Sequence, residues 1–256
     1  MSVLDRFSLE GRVALVTGAA RGLGQGIAVG LAQAGADIAA LDVLEVDETA
    51  ELVTGAGRRC HPLSADLSQA MPEMARELVG RCVDELSRLD ILVNNAGIIR
   101  RAPALEYSQE DWDPVIAINL TSAFYLAQAA GRRFVEQGDG GKIINTASVL
   151  SFDGGILVPA YVATKHAIAG LTKALANEWA GRGIGVNAVA PGYFATEVTA
   201  GIREDPERTR AMLAHIPAGR WGEPADLEGA VVFLASEASA YVHGVVLPVD
   251  GGWLAR

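Results

Sequence analysis

Tyr161 and Lys165 stand four residues apart in Tyr161-Val162-Ala163-Thr164-Lys165, a spacing that puts both on one face of a helix. A phenol ionises near pH ~10 and is a poor proton-transfer group at neutral pH. A neighbouring ammonium stabilises the phenolate and lowers that value. Such a pair can give or take a proton as a hydride reaches or leaves carbon. A second chemical signal is the run Thr17-Gly18-Ala19-Ala20-Arg21-Gly22-Leu23-Gly24. Gly18 permits a tight turn, and Gly22 and Gly24 let a pyrophosphate approach the backbone at the start of a helix. The pattern is G-x-x-x-G-x-G, longer than the G-x-G-x-x-G dinucleotide fingerprint. Asp42 follows 18 residues beyond Gly24. A carboxylate there can accept hydrogen bonds from an adenosine ribose diol, and its charge repels a 2′-phosphate, which favours NAD over NADP. Arg21 pulls the other way, because a basic residue in this turn favours that phosphate.

The elements that must position these groups alternate. Val13–Val16, Ile38–Leu41, Arg59–Ser64, Ile91–Val93, Lys142–Asn145, Val186–Ala190 and Val245–Val249 read as seven strands. Helical periodicity covers Gly22–Ala34, Val46–Thr54, Met71–Ser87, Gln109–Gln137 with Ser108 as N-cap, Ala160–Arg182 with Gly183 as its stop, and Ala225–Ser236. Strands alternating with helices require crossover connections. The expected fold is therefore a single Rossmann-like, doubly wound, seven-stranded parallel sheet with helices on both faces, one domain over residues 1–256. The stretch from Pro191 to Pro224, rich in Pro, Gly and charge, reads as irregular chain. Its position after the sixth strand suits a substrate lid over about residues 192–223.

The sequence resembles the short-chain dehydrogenase/reductase family across essentially its whole length. The resemblance rests on Thr17–Gly24, Asp66 after the third strand, and Asn94-Asn95-Ala96-Gly97 after the fourth. It continues through Asn119, Ser148, Tyr161-x-x-x-Lys165, and Pro191-Gly192 with Thr196. It implies a catalytic set of Asn119, Ser148, Tyr161 and Lys165. Tyr161 is then the general acid/base. Lys165 holds the nicotinamide ribose and depresses the tyrosine, Ser148 hydrogen-bonds the substrate oxygen, and Asn119 holds a water in a proton relay. Asp66, with Leu67 beside it, meets the adenine. Asn95, Ala96 and Gly97 line the adenosine side, and Pro191, Gly192, Phe194 and Thr196 anchor the carboxamide. The family also implies a homotetramer built through the helices at 109–137 and 160–182, the latter presenting the small residues Ala167, Gly170 and Ala174.

Within the family the closer resemblance is to its sugar-acid branch, the 2-dehydro-3-deoxy-D-gluconate 5-dehydrogenases, also called 2-deoxy-D-gluconate 3-dehydrogenases. It is carried by Asn94–Arg101, Asn177-Glu178-Trp179, Ile216–Gly222 and the ending Asp250–Arg256. The implied reaction is NAD(H)-linked interconversion of an alcohol and a ketone on a deoxy-keto acid. Gluconate 5-dehydrogenase, a reductase of uronate-derived ketones, and a nucleotide-sensing protein without turnover are the alternatives. A carboxylate substrate needs a local cation, and arginine suits it. Arg100 and Arg101 are the candidates on the ligand side of the sheet. His215, Arg220 and Arg256 lie near the lid and the C-terminus, where Trp253 and Arg256 could reach a neighbouring subunit. His166, beside Lys165, should point elsewhere.

Composition limits the remaining functions. Lys+Arg 21 against Asp+Glu 31 gives a net charge of −10, which disfavours nucleic-acid and membrane-surface partners. Hydrophobic residues at 50% exclude disorder. Cys60 and Cys82 form no disulfide framework and show no metal spacing, so reduced thiols, no metal and a cytoplasmic setting are expected. Met1–Glu10 carries charge and no apolar signal core.

Overall fold

The computed structural model describes residues 2–256, apart from the side chain of Val198. Its strands are β1 (Val13–Thr17), β2 (Asp37–Asp42), β3 (Cys60–Ser64), β4 (Ile91–Asn94), β5 (Gly141–Thr146), β6 (Ile184–Pro191) and β7 (Val246–Val249). All pair in parallel in the order β3-β2-β1-β4-β5-β6-β7. The winding reverses between β1 and β4, so the ligand crevice opens beyond the carboxyl ends of those strands. β1 and β6 are buried at every position, as their unbroken apolar runs require of strands covered on both faces. β3 is an edge strand, half-exposed, and tolerates Pro62 for that reason.

Alternate side chains of β1 feed two cores. Ala14 and Val16 join Ile27 and Leu31 of α1 (Gly22–Gln33) and Leu227, Val231 and Leu234 of α9 (Ala225–Ala235). Val13 and Leu15 join Leu78 of α3 (Pro72–Leu86), Leu126 and Phe134 of α5 (Ser122–Gln137) and Leu175 of α6 (Pro159–Trp179). Helix α2 (Asp47–Gly55) flanks β2 and β3. The exposed surface is 11799 Å², close to the roughly 11,000 Å² that the chain's mass predicts.

Two segments differ from the sequence expectation. The helix expected over Gln109–Gln137 is continuous but not uniform. It runs as α4 (Gln109–Ile116), a π turn at Ala117–Thr121 and then α5. Ser108 caps it as expected, with Oγ accepting from the Asp111 N–H at 3.2 Å. In the π turn the Ser122 N–H reaches back to the Ala117 carbonyl, one residue further than in an α-helix. The stretch expected as irregular holds a 3-10 turn at Glu197–Thr199, α7 (Ala200–Arg203) and α8 (Pro206–His215). Asp205 starts α8 by accepting from Glu207 and Arg208 N–H, with Pro206 at the first helical position. The segment closes on itself through a parallel bridge between Phe194 and Gly222.

No helix among the described residues is long and apolar enough to cross a membrane, and no group of three or more His, Cys, Asp or Glu among them could hold a metal. Cys60 and Cys82 are free thiols. Burial pushes them up to about 11 and about 12, which leaves little thiolate at neutral pH.

Candidate active site

The glycine turn is clamped between β1 and β4. Thr17 Oγ1 accepts the Asn95 and Ala96 N–H groups at 3.0 and 2.9 Å. The Asn95 amide donates to the carbonyls of Thr17 and Gly18 at 3.0 and 3.2 Å. Asn95 thereby buttresses the turn. Helix α1 begins at Gly22 with no side-chain cap from Arg21, so its first N–H groups and the positive end of its dipole face the turn. Gly22 has φ +59°, and a Cβ there would meet nothing nearer than Thr196 Cγ2 at 3.8 Å. The open space above an uncapped helix start fits a diphosphate.

Asp42 stands beside this turn. Its Oδ2 accepts the Ala20 N–H at 2.9 Å, and its Oδ1 accepts those of Val43 and Leu44 at 2.7 and 3.1 Å. Arg21 turns away and pairs with Glu197. Asp66 caps the short helix after β3 by accepting the Ser68 N–H at 2.9 Å. The Leu67 side chain lies in the core under α3, which leaves its backbone to face a ligand.

The proposed proton-transfer residues are gathered by α6, β5 and the π turn. Ser148 follows β5 and caps a 3-10 turn at Val149–Ser151. Ser151 donates to the Lys165 carbonyl at 2.7 Å, which fixes that turn to α6. Lys165 is 4% exposed. Its Nζ donates to the Thr146 carbonyl at 2.5 Å and sits 5.4 Å from the Tyr161 ring centroid. Burial pushes Lys165 down to about 8. Burial pushes Tyr161 up; a hydrogen bond with Ser148 and the charge of Arg101 oppose that, and Tyr193 adds to it. The sequence expectation of a depressed tyrosine is thus reversed for the protein alone, because desolvation outweighs the opposing contacts. Asn119 lies in the π turn. Its Oδ1 accepts the Ile98 N–H at 2.8 Å, and its Nδ2 donates to the Ile98 carbonyl at 2.9 Å and to Thr164 Oγ1 at 3.3 Å. Thr164 in turn donates to the Tyr161 carbonyl at 2.8 Å. The Asn119 side chain therefore splices the segment after β4 to α6. Gly97 completes this packing, since a Cβ there would lie 3.4 Å from Asn119 Oδ1.

The two candidate arginines separate. The Tyr107 hydroxyl donates to the Arg100 backbone carbonyl at 3.2 Å. Arg101 acts on Tyr161 and Tyr193. Arg220 forms a two-pronged pair with Asp226, at 2.6 and 2.7 Å. His166 contacts the Val162 carbonyl on its own helix, away from the site as expected. Trp253 and Arg256 find partners within the chain. Trp253 packs on Tyr193 and His215, and Arg256 donates to the Ala214 carbonyl at 2.7 Å.

Beyond β6, Gly192 donates to the Val249 carbonyl and Thr196 leans toward Gly22. Phe194 is 4% exposed and serves the core. A cavity of about 230 Å³ opens behind Tyr193, between Phe194, Ile216, Arg220 and Asp250. None of Ser148, Tyr161 or Lys165 lines it. Sequence reasoning missed Tyr193, Thr164 and Leu157. Leu157 takes φ +66°, uncommon for a branched residue, and its carbonyl accepts the Ala102 N–H at 3.0 Å. That bond joins the segment carrying Arg101 to the approach to α6. Only the Pro191-Gly192-Tyr193 sequence, just past a buried strand, offered a signal for any of the three.

A doubly wound sheet with an open glycine turn, and a helical Tyr-Lys pair at its mouth, defines a nicotinamide-dependent oxidoreductase. The chain belongs to the short-chain dehydrogenase/reductase family. Residues 18–254 match the family described as enoyl-(acyl carrier protein) reductase. The chain is 55% identical to the 2-dehydro-3-deoxy-D-gluconate 5-dehydrogenase of Dickeya dadantii, over 99% of this chain and 100% of that one. It is 53% identical to the enzyme of the same name from Bacillus subtilis, over 98% of each chain. A crystal structure from Agrobacterium tumefaciens, provisionally described as a 2-deoxy-D-gluconate 3-dehydrogenase with bound NADP, superposes with a TM-score of 0.91. It is 51% identical and covers 98% of this chain and 100% of its own.

Proposed function

We propose that this chain is a 2-dehydro-3-deoxy-D-gluconate 5-dehydrogenase working with NAD(H). The observation that supports the substrate class best is the 55% identity, over 99% of this chain, with a 2-dehydro-3-deoxy-D-gluconate 5-dehydrogenase. In a chain of net charge −10, Arg101 follows the carboxyl end of β4, on the side of the sheet where a sugar acid needs a cation. The nicotinamide, when bound, supplies or takes the hydride. Tyr161 gives the proton to the ketone oxygen in reduction and takes it back from the alcohol in oxidation. Ser148 donates its own hydroxyl to that oxygen, stabilising the charge that develops there. Lys165, buried beside the ring, keeps a positive charge near the phenolate. Asn119 and Thr164 hold the π turn and α6 in register. The helices α7 and α8 form the lid.

The test is loss of NADH absorbance with 2,5-diketo-3-deoxygluconate, run beside 5-ketogluconate, a neutral ketone and NADPH. Preferred turnover of the deoxy-keto acid supports the assignment. Preference for 5-ketogluconate selects gluconate 5-dehydrogenase instead, and preference for the neutral ketone discards the carboxylate site. Arg101→Ala is expected to raise KM for the keto acid about tenfold, equal to about 1.4 kcal/mol, and to leave the neutral ketone unchanged. Arg100→Ala is expected to change neither. Equal effects of the two substitutions remove Arg101 from the carboxylate.

The preference for NAD rests on Asp42, which three backbone N–H groups fix at the end of β2. A ribose 2′-phosphate placed there meets that fixed charge, while Arg21 is engaged by Glu197. Asp42→Ala is expected to move the NADPH-to-NADH ratio of kcat/KM toward NADPH by about tenfold, the equivalent of ~1.4 kcal/mol. An unchanged ratio takes Asp42 out of cofactor selection. A tetramer through α5 and α6 is supported by the exposed Gly170 and Ala174, where a Cβ on Gly170 meets nothing within 4 Å. The mass in solution reads it directly.

A further inference from the structure

We infer that Trp253 is a positioning residue that ties the lid to the segment carrying Ser148 and sets the place of Tyr193. Its indole centroid lies 4.6 Å from the Tyr193 ring and 4.1 Å from the His215 imidazole. Its Nε1 donates to Asp153 Oδ2 at 3.2 Å. These partners belong to three separate parts of the molecule. Asp153 follows the turn that Ser148 caps. Tyr193 follows the end of β6. His215 is the last residue of α8. One rigid bicyclic ring therefore touches the catalytic segment, the substrate face and the lid together.

The tail is built to hold that ring still. Asp250 accepts the Gly252 N–H at 2.8 Å and the Leu254 N–H at 2.9 Å, and its carbonyl accepts the Trp253 N–H at 3.2 Å. Arg256 ties the end of the chain to the Ala214 carbonyl in α8. The tail also lies flat on the segment after α8. A Cβ on Gly251 would lie 2.9 Å from Ile216, and one on Gly252 would lie 3.0 Å from Pro217. A post fixed in this way can set the distance between the lid and Ser148. It also holds the Tyr193 hydroxyl among Arg101, Tyr161 and Asp153, the charged and phenolic groups that act on it. The glycine turn, Asp42 and Thr17 share no contact with Trp253, so the adenosine and diphosphate end of the cofactor site lies outside its reach.

The inference rests on the reading of α7 and α8 as the lid over a sugar-acid site, and its test separates the two. Trp253→Ala is compared with Trp253→Phe, which keeps an aromatic ring for Tyr193 and His215 and loses only the bond to Asp153. In Trp253→Ala, KM for the keto acid is expected to rise at least tenfold with kcat changed less than threefold. NADH affinity, read by fluorescence titration, is expected to stay within twofold, and Trp253→Phe to give an intermediate KM, because it keeps the ring packing on Tyr193 and His215 and loses the tie to Asp153. Tryptic cleavage after Arg203, Arg208 or Arg210 in the lid is expected to speed up in Trp253→Ala and not in Trp253→Phe. Cleavage needs no substrate, so it reads the latch even where the wild-type chain leaves the keto acid untouched, which is the sign that the substrate reading itself has failed. Unchanged lid cleavage in Trp253→Ala overturns the inference. So does a parallel loss of NADH affinity, which marks general loosening, or a phenylalanine variant with the wild-type KM, which removes the tie through Asp153.

Discussion

Tyr161→Phe is expected to lower kcat for keto-acid reduction by about 10²–10⁴-fold and to leave NADH affinity within twofold. The substitution removes one oxygen and nothing else. The ring stays beside the Lys165 ammonium, and the Tyr161 carbonyl still anchors Thr164. The glycine turn and Asp42 are untouched. What disappears is the proton delivered to the substrate oxygen and the hydrogen bond with Ser148. The pH profile carries an independent sign. Reduction needs Tyr161 protonated and Lys165 charged. Burial holds Tyr161 above its ordinary value and brings Lys165 down to about 8, so Lys165 is the first to leave its working form as pH rises. For the protein before cofactor binds, kcat/KM for reduction is expected to be flat on the acid side of about 8 and to fall on the alkaline side. Near-normal kcat in the phenylalanine variant assigns proton transfer to another group.

The parts of this molecule that were readable from sequence are those where one local constraint fixes one residue type. β1 and β6 are covered on both faces, so they had to be unbroken apolar runs. The turn after β1 must admit a ligand against bare backbone, so it had to be glycine. The π turn at Ala117–Thr121 had no such signature, because a shifted hydrogen-bond register needs no special side chain. α7 and α8 were hidden by a composition of Pro, Gly and charge, although Asp205-Pro206 was a legible helix start. Arg100 and Arg101 are neighbours in sequence and could not be told apart there. The Ala102 to Leu157 bond that shapes their segment is long-range. The buttressing by Asn95 was hidden for a related reason: its partners, Thr17 and Gly18, belong to the end of another strand and its turn. Trp253 reaches Asp153 across 100 residues, a distance over which no periodicity speaks.

Gly24→Ala is expected to abolish NADH binding and to destabilise the fold, because the methyl has nowhere to go. A Cβ at Gly24 would stand 1.8 Å from the Gly18 carbonyl oxygen, 2.7 Å from its carbon and 2.6 Å from Asn95 Nδ2. Gly24 takes no left-handed conformation, so the requirement is space rather than backbone freedom. None of the three neighbours can yield cheaply. The Gly18 oxygen belongs to the turn itself, and Asn95 is held by its two donations to Thr17 and Gly18. Relief requires α1 to slide off the end of β1, which carries its first N–H groups away from the diphosphate they serve. Overpacking of this kind costs about 1–3 kcal/mol, and more where the contacts are backbone. NADH affinity is expected to fall beyond about 100-fold, or ~2.7 kcal/mol, with a lowered melting temperature. Gly80→Ala is the matched control. Gly80 lies inside α3, where a Cβ meets nothing within 4 Å, so the same added methyl is expected to stabilise by about 0.5–1 kcal/mol and to leave NADH binding alone. A Gly24→Ala variant that binds NADH like its Gly80→Ala counterpart would show that the turn relaxes freely and is not the cradle for the diphosphate.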